Sequence, residues 1–210
     1  MRFHSGLAAP RYSSRRMRIT GGGLRSRALK APKGTATRPT SDRVREALFN
    51  IVADECEGAH VLDLYAGTGA IGLEALSRGA VRAVFVERGK DALAALAHNV
   101  RALGVDARAR IVAAPVDRAA RALQLEGARF DLVFADPPYA DVKSGAAVGA
   151  VGEHVALLAP GATLVFEHAQ RDGPPALPGL DLVRSRNYGD TALSFYVASA
   201  ADGADGAEET

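Results

Sequence analysis

The feature that most constrains the fold of this chain is a regular alternation of β-rich and helical segments, which begins at His60. Short runs of Val, Leu, Ile and Phe predict buried strands, and the stretches between them are long enough for crossover helices. This alternation is typical of an α/β protein in which helices cover both faces of a parallel sheet. We predict strands at residues 60–64, 82–87, 109–113, 130–135, 162–168, 180–186 and 192–198, and helices at 70–79, 89–103, 116–125 and 143–158.

The last two predicted strands differ from the others because only residues 187–191 connect them. A parallel connection needs a crossover of a dozen or more residues, so this pair must be antiparallel. The sequence therefore predicts a doubly wound, seven-stranded and mostly parallel sheet that ends in an antiparallel hairpin. With 210 residues, of which 48% are hydrophobic, the chain is long enough for one such domain with a small appendage.

The charges are separated along the chain. Residues 1–45 hold twelve Arg and Lys residues and one acid, a balance of +11, whereas the remaining residues have a balance of −9. A basic segment on an acidic body favours a polyanionic partner, because Lys and Arg that bind phosphates release condensed counterions. A solvated basic tail is the alternative that charge alone leaves open.

Composition divides the chain into four parts. The first lacks acids and apolar periodicity, and the last is acidic and rich in Gly and Ala, so we expect both ends to be disordered. The second is predicted to be a basic arm and the third the α/β domain. The four parts are residues 1–16, 17–55, 56–199 and 200–210.

The predicted arm consists of a β-hairpin and a helix. The hairpin has strands at 18–22 and 27–32 and turns on three consecutive glycines. Thr40 or Ser41 can cap the helix that follows. The residues that share its predicted apolar face are Val44, Ala47, Leu48 and Ile51.

A glycine-rich turn follows the first predicted strand of the α/β part. Gly67, Gly69 and Gly72 have the spacing G-x-G-x-x-G, which lets a nucleotide approach the backbone and also occurs in nicotinamide-dependent oxidoreductases. Asp63 weighs against that alternative, because a carboxylate there repels a pyrophosphate but attracts a ligand with an ammonium and a sulfonium group. Glu87 ends the next strand, where its carboxylate can accept hydrogen bonds from both hydroxyls of a ribose.

The residues Asp136, Pro137, Pro138 and Tyr139 follow the fourth predicted strand, beside the glycine-rich turn. Two consecutive prolines fix their φ angles, so the Pro137 carbonyl can point outward as a rigid acceptor next to the Asp136 carboxylate. Two such acceptors can hold both hydrogens of an exocyclic amino group and aim its lone pair at an electrophilic methyl group. Tyr139 offers a flat face on which a base can stack. This sequence predicts methyl transfer to an amino nitrogen of a nucleic-acid base.

From Met17 to about Val197 the sequence resembles the RsmD-type family of 16S ribosomal RNA guanine methyltransferases. The motifs that carry the resemblance are RITGGGLRSRALKAP, RPTSDRVREALFNIV, LDLYAGTGAIGLEALSRGA, FVE, ADPPY and NYGDT. The resemblance implies a Rossmann-like class I methyltransferase fold, S-adenosylmethionine as cofactor, and methylation of the 2-amino group of a guanine. The implied partner is 16S ribosomal RNA, either free or within an assembling small ribosomal subunit.

Three alternatives remain open from the sequence. The DPPY motif does not choose the base, so methylation of the 6-amino group of adenine in RNA or DNA is the nearest one. A nicotinamide-dependent oxidoreductase is the second, because the glycine spacing is shared. A non-catalytic RNA-binding factor is the third, and the intact DPPY motif argues against it.

The resemblance also suggests roles for individual residues. Asp136 falls on the catalytic acid and Tyr139 on the stacking residue, with Pro137 and Pro138 between them. The predicted cofactor-binding residues are Asp63, Tyr65, Ala66, Gly67, Thr68, Gly69, Glu87, Arg88, Pro115 and Val116. The residues predicted at the RNA or at the mouth of the active site are Arg18, Arg25, Arg38, Thr40, Arg43, Arg45 and Tyr188.

One segment departs from the family pattern. After the third strand, residues 113–116 offer no side chain that can accept a hydrogen bond from the amino group of adenine. The Val116 backbone N–H could still bind a ring nitrogen, and Asp117 is a less well-placed substitute for the missing acceptor.

The remaining features of the sequence do not indicate a catalytic or ligand-binding role. Cys56 is the only cysteine, and no Cys/His cluster has the spacing of a zinc site, so we expect neither a disulfide nor a metal. No apolar run reaches the roughly 20 residues that cross a bilayer, and we expect a monomeric cytoplasmic protein. We interpret His98 and Asn99 as surface or capping residues, His168 as structural and Cys56 as a core residue.

Overall fold

The structure is a computed structural model that describes residues 17–32, 42–143 and 145–199. Within these residues, seven strands form one sheet in the order β3-β2-β1-β4-β5-β7-β6. The strands are β1 (His60–Leu64), β2 (Arg82–Glu87), β3 (Ala109–Ala113), β4 (Phe130–Ala135), β5 (Leu158–Ala169), β6 (Leu180–Tyr188) and β7 (Thr191–Ala198). The helices are α1 (Asp42–Ile51), α2 (Ala53–Cys56), α3 (Ala70–Ser77), α4 (Lys90–Leu103), α5 (Val116–Leu125), α6 (Tyr139–Lys143) and α7 (Ala146–Gly152).

The strand directions confirm the predicted topology. Strands β1 to β5 are mutually parallel, and β7 runs antiparallel to both of its neighbours, β5 and β6. The first four strands have the predicted bounds, because each is a short and mostly apolar run with a clear end. This is the Rossmann-like, mostly parallel sheet with one antiparallel strand that the sequence predicts.

The prediction of one long helix over 143–158 is wrong. The described residues there form the end of α6, the short helix α7 and a 3-10 turn at Val155–Leu157, and β5 begins four residues earlier than predicted. Gly145 has a φ of +75°, a left-handed conformation that a continuous helix cannot contain. The segment is apolar because it is rich in Ala and Gly. These side chains are too small to pack a long helix firmly against the sheet.

Two apolar layers sandwich the sheet. Alternate residues of each strand face opposite sides, so Val61 packs under one layer and Leu62 under the other. Helices α1 to α4 and the hairpin of the arm, residues 17–32, cover the first face, and α5 and α7 cover the second. None of the described helices has both the length and the apolar character that a membrane span requires.

The arm reverses direction as predicted but does not form two regular strands. Arg18 and Ala28 make a single antiparallel bridge, and a 3-10 turn occupies Gly22–Leu24. Backbone hydrogen bonds such as that from the Leu29 N–H to the Met17 carbonyl, at 2.8 Å, join its two halves, and the arm also bonds to side chains of helix α3. The Leu24 N–H, for example, donates to Ser77 Oγ at 2.9 Å. Contact with the α/β domain therefore adds to the hydrogen bonds within the hairpin.

Helix α1 buries a face that differs from the predicted one. Val44 and Leu48 are buried as predicted, but Arg45 and Phe49 complete the buried face. The Phe49 ring packs 5.7 Å from that of Phe134 on β4. The predicted caps Thr40 and Ser41, and the ends predicted to be disordered at 1–16 and 200–210, lie outside the described residues.

Glu74 of α3 anchors the arm to the domain. Its side chain is fully buried and accepts hydrogen bonds from the Thr20 and Gly21 backbone N–H groups, both at 2.7 Å. The Thr20 hydroxyl and Arg78 Nε also donate to it, at 2.8 and 2.9 Å, and Arg45 Nε lies 3.5 Å away. A buried carboxylate with this many donors fixes the position of the whole arm.

We expect Glu74→Ala to lower the free energy of unfolding by about 3 kcal/mol, because it leaves buried cations and backbone donors without a carboxylate. Urea unfolding measures this change. The matched control is Glu126→Ala, which removes an exposed ion pair to Arg110 of 2.6 Å and should have a much smaller effect. Equal losses in the two variants would contradict the anchoring role of Glu74.

Candidate active site

The register of the sheet brings three strand ends to one level. Leu64 of β1 pairs with Val86 of β2 and with Ala135 of β4. Because the three strands are parallel, the glycine-rich turn after β1, Glu87 and Asp136 emerge side by side. The strand order reverses between β1 and β4, which is where doubly wound sheets form a ligand crevice.

The turn after β1 needs its glycines. Tyr65 bends the chain at a φ of +62°, and Gly67 and Gly69 follow at +54° and +79°. A Cβ atom on Gly69 would lie 2.4 Å from Leu96 Cδ1, so no side chain fits there. Backbone conformations of this kind are strained for most residues and cluster at ligand sites.

Asp63 is a buried acid beneath the turn. Its side chain is 3% exposed and accepts a hydrogen bond of 2.9 Å from the Gly72 N–H at the start of α3. The pKa of Asp63 is raised to about 7, and burial is the largest cause. The Gly72 hydrogen bond lowers this pKa, and the charges of Asp136 and Glu87 raise it; the value of about 7 includes all of these effects. A cation that entered this site would restore the ionised form.

Glu87 lies at the opposite side of the same turn. Its carboxylate accepts hydrogen bonds from the N–H groups of Gly67, Arg88 and Gly89, at 2.8, 2.7 and 2.6 Å. These bonds hold the carboxylate against the turn and fix its direction. The end of β2 thus presents a positioned acceptor at the crevice, as the sequence predicts for a ribose site.

The sequence DPPY continues from β4 into α6. Asp136 is half-buried, Pro137 is buried and Pro138 is exposed, and Tyr139 begins α6 with 40% of its surface exposed. The Tyr139 hydroxyl accepts a hydrogen bond of 2.6 Å from Arg171. Arg171 and Lys143 lie 5.1 and 5.0 Å from the centre of the Tyr139 ring, and their hydrogen bonds lower the pKa of its hydroxyl. Tyr139 is therefore an exposed aromatic ring with two cations beside it.

Three cavities meet at Asp136, which lines all of them. The first cavity, of about 490 Å³, extends over the ends of β2 and β3, and the second, of about 270 Å³, lies between the turn and the arm. The third cavity, of about 450 Å³, lies between Tyr139 and the β5 and β7 strands. Asp136 thus separates the space beside the turn from a second space beside Tyr139.

The structure brings the predicted cofactor residues together. Tyr65, Glu87, Arg88, Pro115 and Val116 line the first cavity, and Asp117 lines it too. The second cavity is lined by Asp63, Tyr65, Ala66, Gly67, Thr68 and Glu87, while Gly69 is buried directly beneath. Asp117 therefore lies at the same cavity as Ala114, Pro115 and Val116, whose side chains offer no acceptor.

The predicted RNA residues fall into separate places. Arg18, Arg25 and Arg43 are exposed, and Tyr188 packs against the first apolar layer. Arg45 is 0% exposed and lines the second cavity, so its burial does not fit a contact with an RNA backbone on an open surface. The remaining two, Arg38 and Thr40, lie outside the described residues.

Asn99 plays a role that its sequence position did not indicate. It is 1% exposed rather than a surface or capping residue, and its amide donates to the Thr68 carbonyl at 2.9 Å and to the Lys30 carbonyl at 3.1 Å. Its oxygen accepts from the Lys30 N–H at 2.8 Å. Asn99 therefore ties the arm to the glycine-rich turn, and no local pattern predicts such a bond across 69 residues.

His168 and Cys56 have the plain roles that the sequence suggested. His168 is buried at the wall of the third cavity, and both of its ring nitrogens have partners, Ser194 Oγ at 2.8 Å and the Ala169 carbonyl at 3.0 Å. Cys56 is fully buried at the end of α2, where burial raises its pKa to about 11. Such a thiol is unreactive, and its side chain serves only to pack the core.

Residues 17–197 match the model of the family described as conserved hypothetical protein 95. The chain belongs to this family, the RsmD-type methyltransferases. Ribosomal RNA small subunit methyltransferase D of Escherichia coli strain K12 is 34% identical over 90% of this chain and 94% of its own. The protein of that name in Haemophilus influenzae is 30% identical over 86% of this chain and 93% of its own.

Solved structures share the fold of this chain. A hypothetical protein of Thermus thermophilus superposes with a TM-score of 0.73 and is 36% identical, over 85% of this chain and 97% of its own. TrmN of Thermus thermophilus superposes with a TM-score of 0.60 and is 25% identical, over 78% of this chain and 51% of its own. The RsmD-type match therefore includes both the arm and the α/β domain.

The raised pKa of Asp63 gives a pH test of the site. The sequence predicts that Asp63 holds the ammonium group of S-adenosylmethionine, and only the carboxylate can do so. With a pKa of about 7, the ionised fraction rises from about one tenth to about one half between pH 6 and pH 7. We expect the affinity for S-adenosylhomocysteine, which carries the same ammonium group, to rise about fivefold over that interval.

Isothermal titration calorimetry at the two pH values measures this change. Asp63→Asn should bind more weakly at both and show no rise. An equal rise in the Asn variant would assign the pH dependence to another group.

Proposed function

We propose that this protein transfers a methyl group from S-adenosylmethionine to the exocyclic 2-amino group of a guanine in 16S ribosomal RNA. The observation that carries the proposal is the position of Asp136 at the junction of the three cavities. The names of the relatives, ribosomal RNA small subunit methyltransferase D, support this substrate. The protein would then act in the cytoplasm, on free RNA or on an assembling subunit.

The first and second cavities fit the cofactor. They share Tyr65, Glu87 and Asp136, so one extended ligand can occupy both around the glycine-rich turn. Asp63 would hold the ammonium group and Glu87 the ribose hydroxyls, while the first cavity would take the adenine. When bound, S-adenosylmethionine supplies the electrophilic methyl group. The positive φ angles of the turn bring its backbone close to the ligand without side chains between them.

Asp136 and Pro137 would hold the amine that attacks. The Asp136 carboxylate and the Pro137 carbonyl are acceptors for the two hydrogens of one amino group, which aligns its lone pair. A carboxylate at hydrogen-bond distance would stabilise the positive charge that the nitrogen gains as it displaces the cofactor's sulfur from the methyl carbon, and it would then accept the proton that the nitrogen loses. Pro137 is buried, so the carbonyl is rigidly placed.

The third cavity favours guanine over adenine. Its lining includes the carboxylates of Asp136, Glu167 and Asp190. Guanine presents two neighbouring donors on its pairing edge, N1–H and the 2-amino group, whereas adenine presents its amino group beside the acceptor N1. Carboxylates accept hydrogen bonds, so they suit the edge of guanine and oppose that of adenine. Tyr139 would stack on the flipped base, at a gain of about 1–3 kcal/mol.

The exposed arginines of the arm would bind the RNA backbone. Arg18 and Arg25 lie on the arm and Arg43 on helix α1, all with exposed side chains. Phosphate contacts of this kind position an RNA without reading its sequence. The residues after position 45 have a negative net charge, so the basic arm is the part of the chain that suits a polyanion.

We expect Asp136→Ala to lower the rate of methyl transfer at least about 100-fold, since it removes one of the two acceptors for the amine. Binding of S-adenosylhomocysteine should change little. The matched control is Asp181→Ala, because Asp181 is exposed near the start of β6, at the opposite edge of the sheet. Methyl transfer to small-subunit particles that lack the modification measures the rate, and full activity in Asp136→Ala would refute the assigned role.

The same reaction identifies the product. Digestion of the methylated RNA to nucleosides should yield 2-methylguanosine. A yield of 6-methyladenosine would instead support the adenine alternative, and binding of NAD in place of S-adenosylmethionine would support an oxidoreductase. A folded protein that binds RNA but transfers no methyl group would be a non-catalytic factor.

A further inference from the structure

Arg45 is a buried cation with few partners. It lies on α1 with 0% of its surface exposed. Its Nη2 donates to the Arg18 carbonyl and, at 2.9 Å, to the Asp42 carboxylate. Among the described residues neither Nε nor Nη1 has a hydrogen-bond partner. Buried donors without acceptors are unfavourable, so a guanidinium in this state suits a ligand that supplies them.

Glu74 does not satisfy these donors. Its Oε2 lies 3.5 Å from Arg45 Nε, which is an ion pair without a hydrogen bond. The carboxylate oxygens already accept from Thr20, Gly21 and Arg78. Glu74 therefore balances part of the charge of Arg45 but leaves the Nε–H group and both Nη1–H groups without an acceptor in the described part of the chain.

The residue that carries these donors borders the second cavity. Arg45 lines it together with Met17 and Pro32 of the arm and with Asp63 and Gly67 at its floor. The cavity thus has a buried carboxylate and a buried guanidinium on its wall. A ligand end that carries both an ammonium and a carboxylate group, as an α-amino acid does, complements both charges.

We propose that Arg45 binds the α-carboxylate of the methionine part of the cofactor, opposite the ammonium group at Asp63. This inference rests on the proposed function for the identity of the cofactor, and it gives Arg45 a ligand other than RNA. An Arg fork can make two parallel hydrogen bonds to a carboxylate, which fixes its orientation as well as its position. The amino-acid end would then be held from both sides, and the methyl group would be directed from there.

The arrangement also joins the arm to the cofactor. Arg45 holds the Arg18 carbonyl, and Met17 Sδ lies 3.4 Å from the Thr68 hydroxyl of the turn. The arm therefore contributes the outer wall of the second cavity. A cofactor carboxylate bound here would add a further bond to the contacts that hold the arm in place.

The test compares two ligands in one protein. S-adenosylhomocysteine carries the carboxylate, and its decarboxylated analogue, 5′-deoxy-5′-(3-aminopropylthio)adenosine, lacks only that group. We expect the wild-type protein to bind the first at least about tenfold more tightly by titration calorimetry, a ratio typical of one charge-assisted contact. In Arg45→Gln the ratio should fall close to one, with the decarboxylated ligand bound nearly as in the wild type.

The matched control is Arg78→Gln. It removes another cation from Glu74, at 2.9 Å, but Arg78 does not line the second cavity as described, so the ligand ratio should stay at its wild-type value. A ratio that falls equally in both variants would mean that only the Glu74 cluster matters, which would overturn the inference.

The wild-type comparison alone can also overturn it. If both ligands bind the wild-type protein equally, Arg45 contacts no carboxylate, whether or not Arg45→Gln folds. That outcome leaves the proposed function intact, because the cofactor still binds. If neither ligand binds, the cofactor assignment itself fails and the inference falls with it.

Discussion

The site depends on one topological constraint, the reversal of strand order between β1 and β4. The chain builds outward from β1 to β3 and then returns to place β4 on the other side of β1. Helices cannot cover the point of reversal, so a crevice opens at the carboxyl ends of the strands. Asp63, Glu87 and Asp136 all lie at that edge, although 73 residues separate the first from the last. The three cavities that share Asp136 become neighbours because of this order.

A second constraint places the arm over that crevice. The Glu74 carboxylate accepts hydrogen bonds from the Thr20 and Gly21 N–H groups, which would bond to the opposite strand in a longer hairpin. The Asn99 side chain bonds both to Lys30 and to the glycine-rich turn. The arm is thus part of the pocket wall rather than a separate module. Its exposed arginines face outward while Arg45 faces inward, so under the two proposals a single basic segment would bind two different anions. Net charge describes the segment but does not distinguish these roles.

Most of the fold could be predicted because parallel strands are continuous apolar runs with marked ends. The motifs at those ends contain most of the residues that the structure brings together around the first and second cavities. The helix over 143–158 failed because Ala and Gly are apolar by composition yet give no periodic bulk, and Gly145 interrupts them. The burial of Arg45 could not be predicted for a different reason: it depends on Glu74 and Asp42, and a charge count does not separate a buried arginine from the exposed ones. Glu74 and Asn99 have partners more than fifty residues away, which no local pattern reveals.

The most direct test of this account is a crystal structure of the protein with S-adenosylhomocysteine bound. The adenosine should occupy the first cavity and the amino-acid end the second, with the sulfur at their junction facing Asp136. From there a methyl group could reach an amine in the third cavity, at the roughly 3–3.5 Å that a reacting pair requires. A sulfur that faces away from Asp136, or that is separated from the third cavity by protein atoms, would contradict the account.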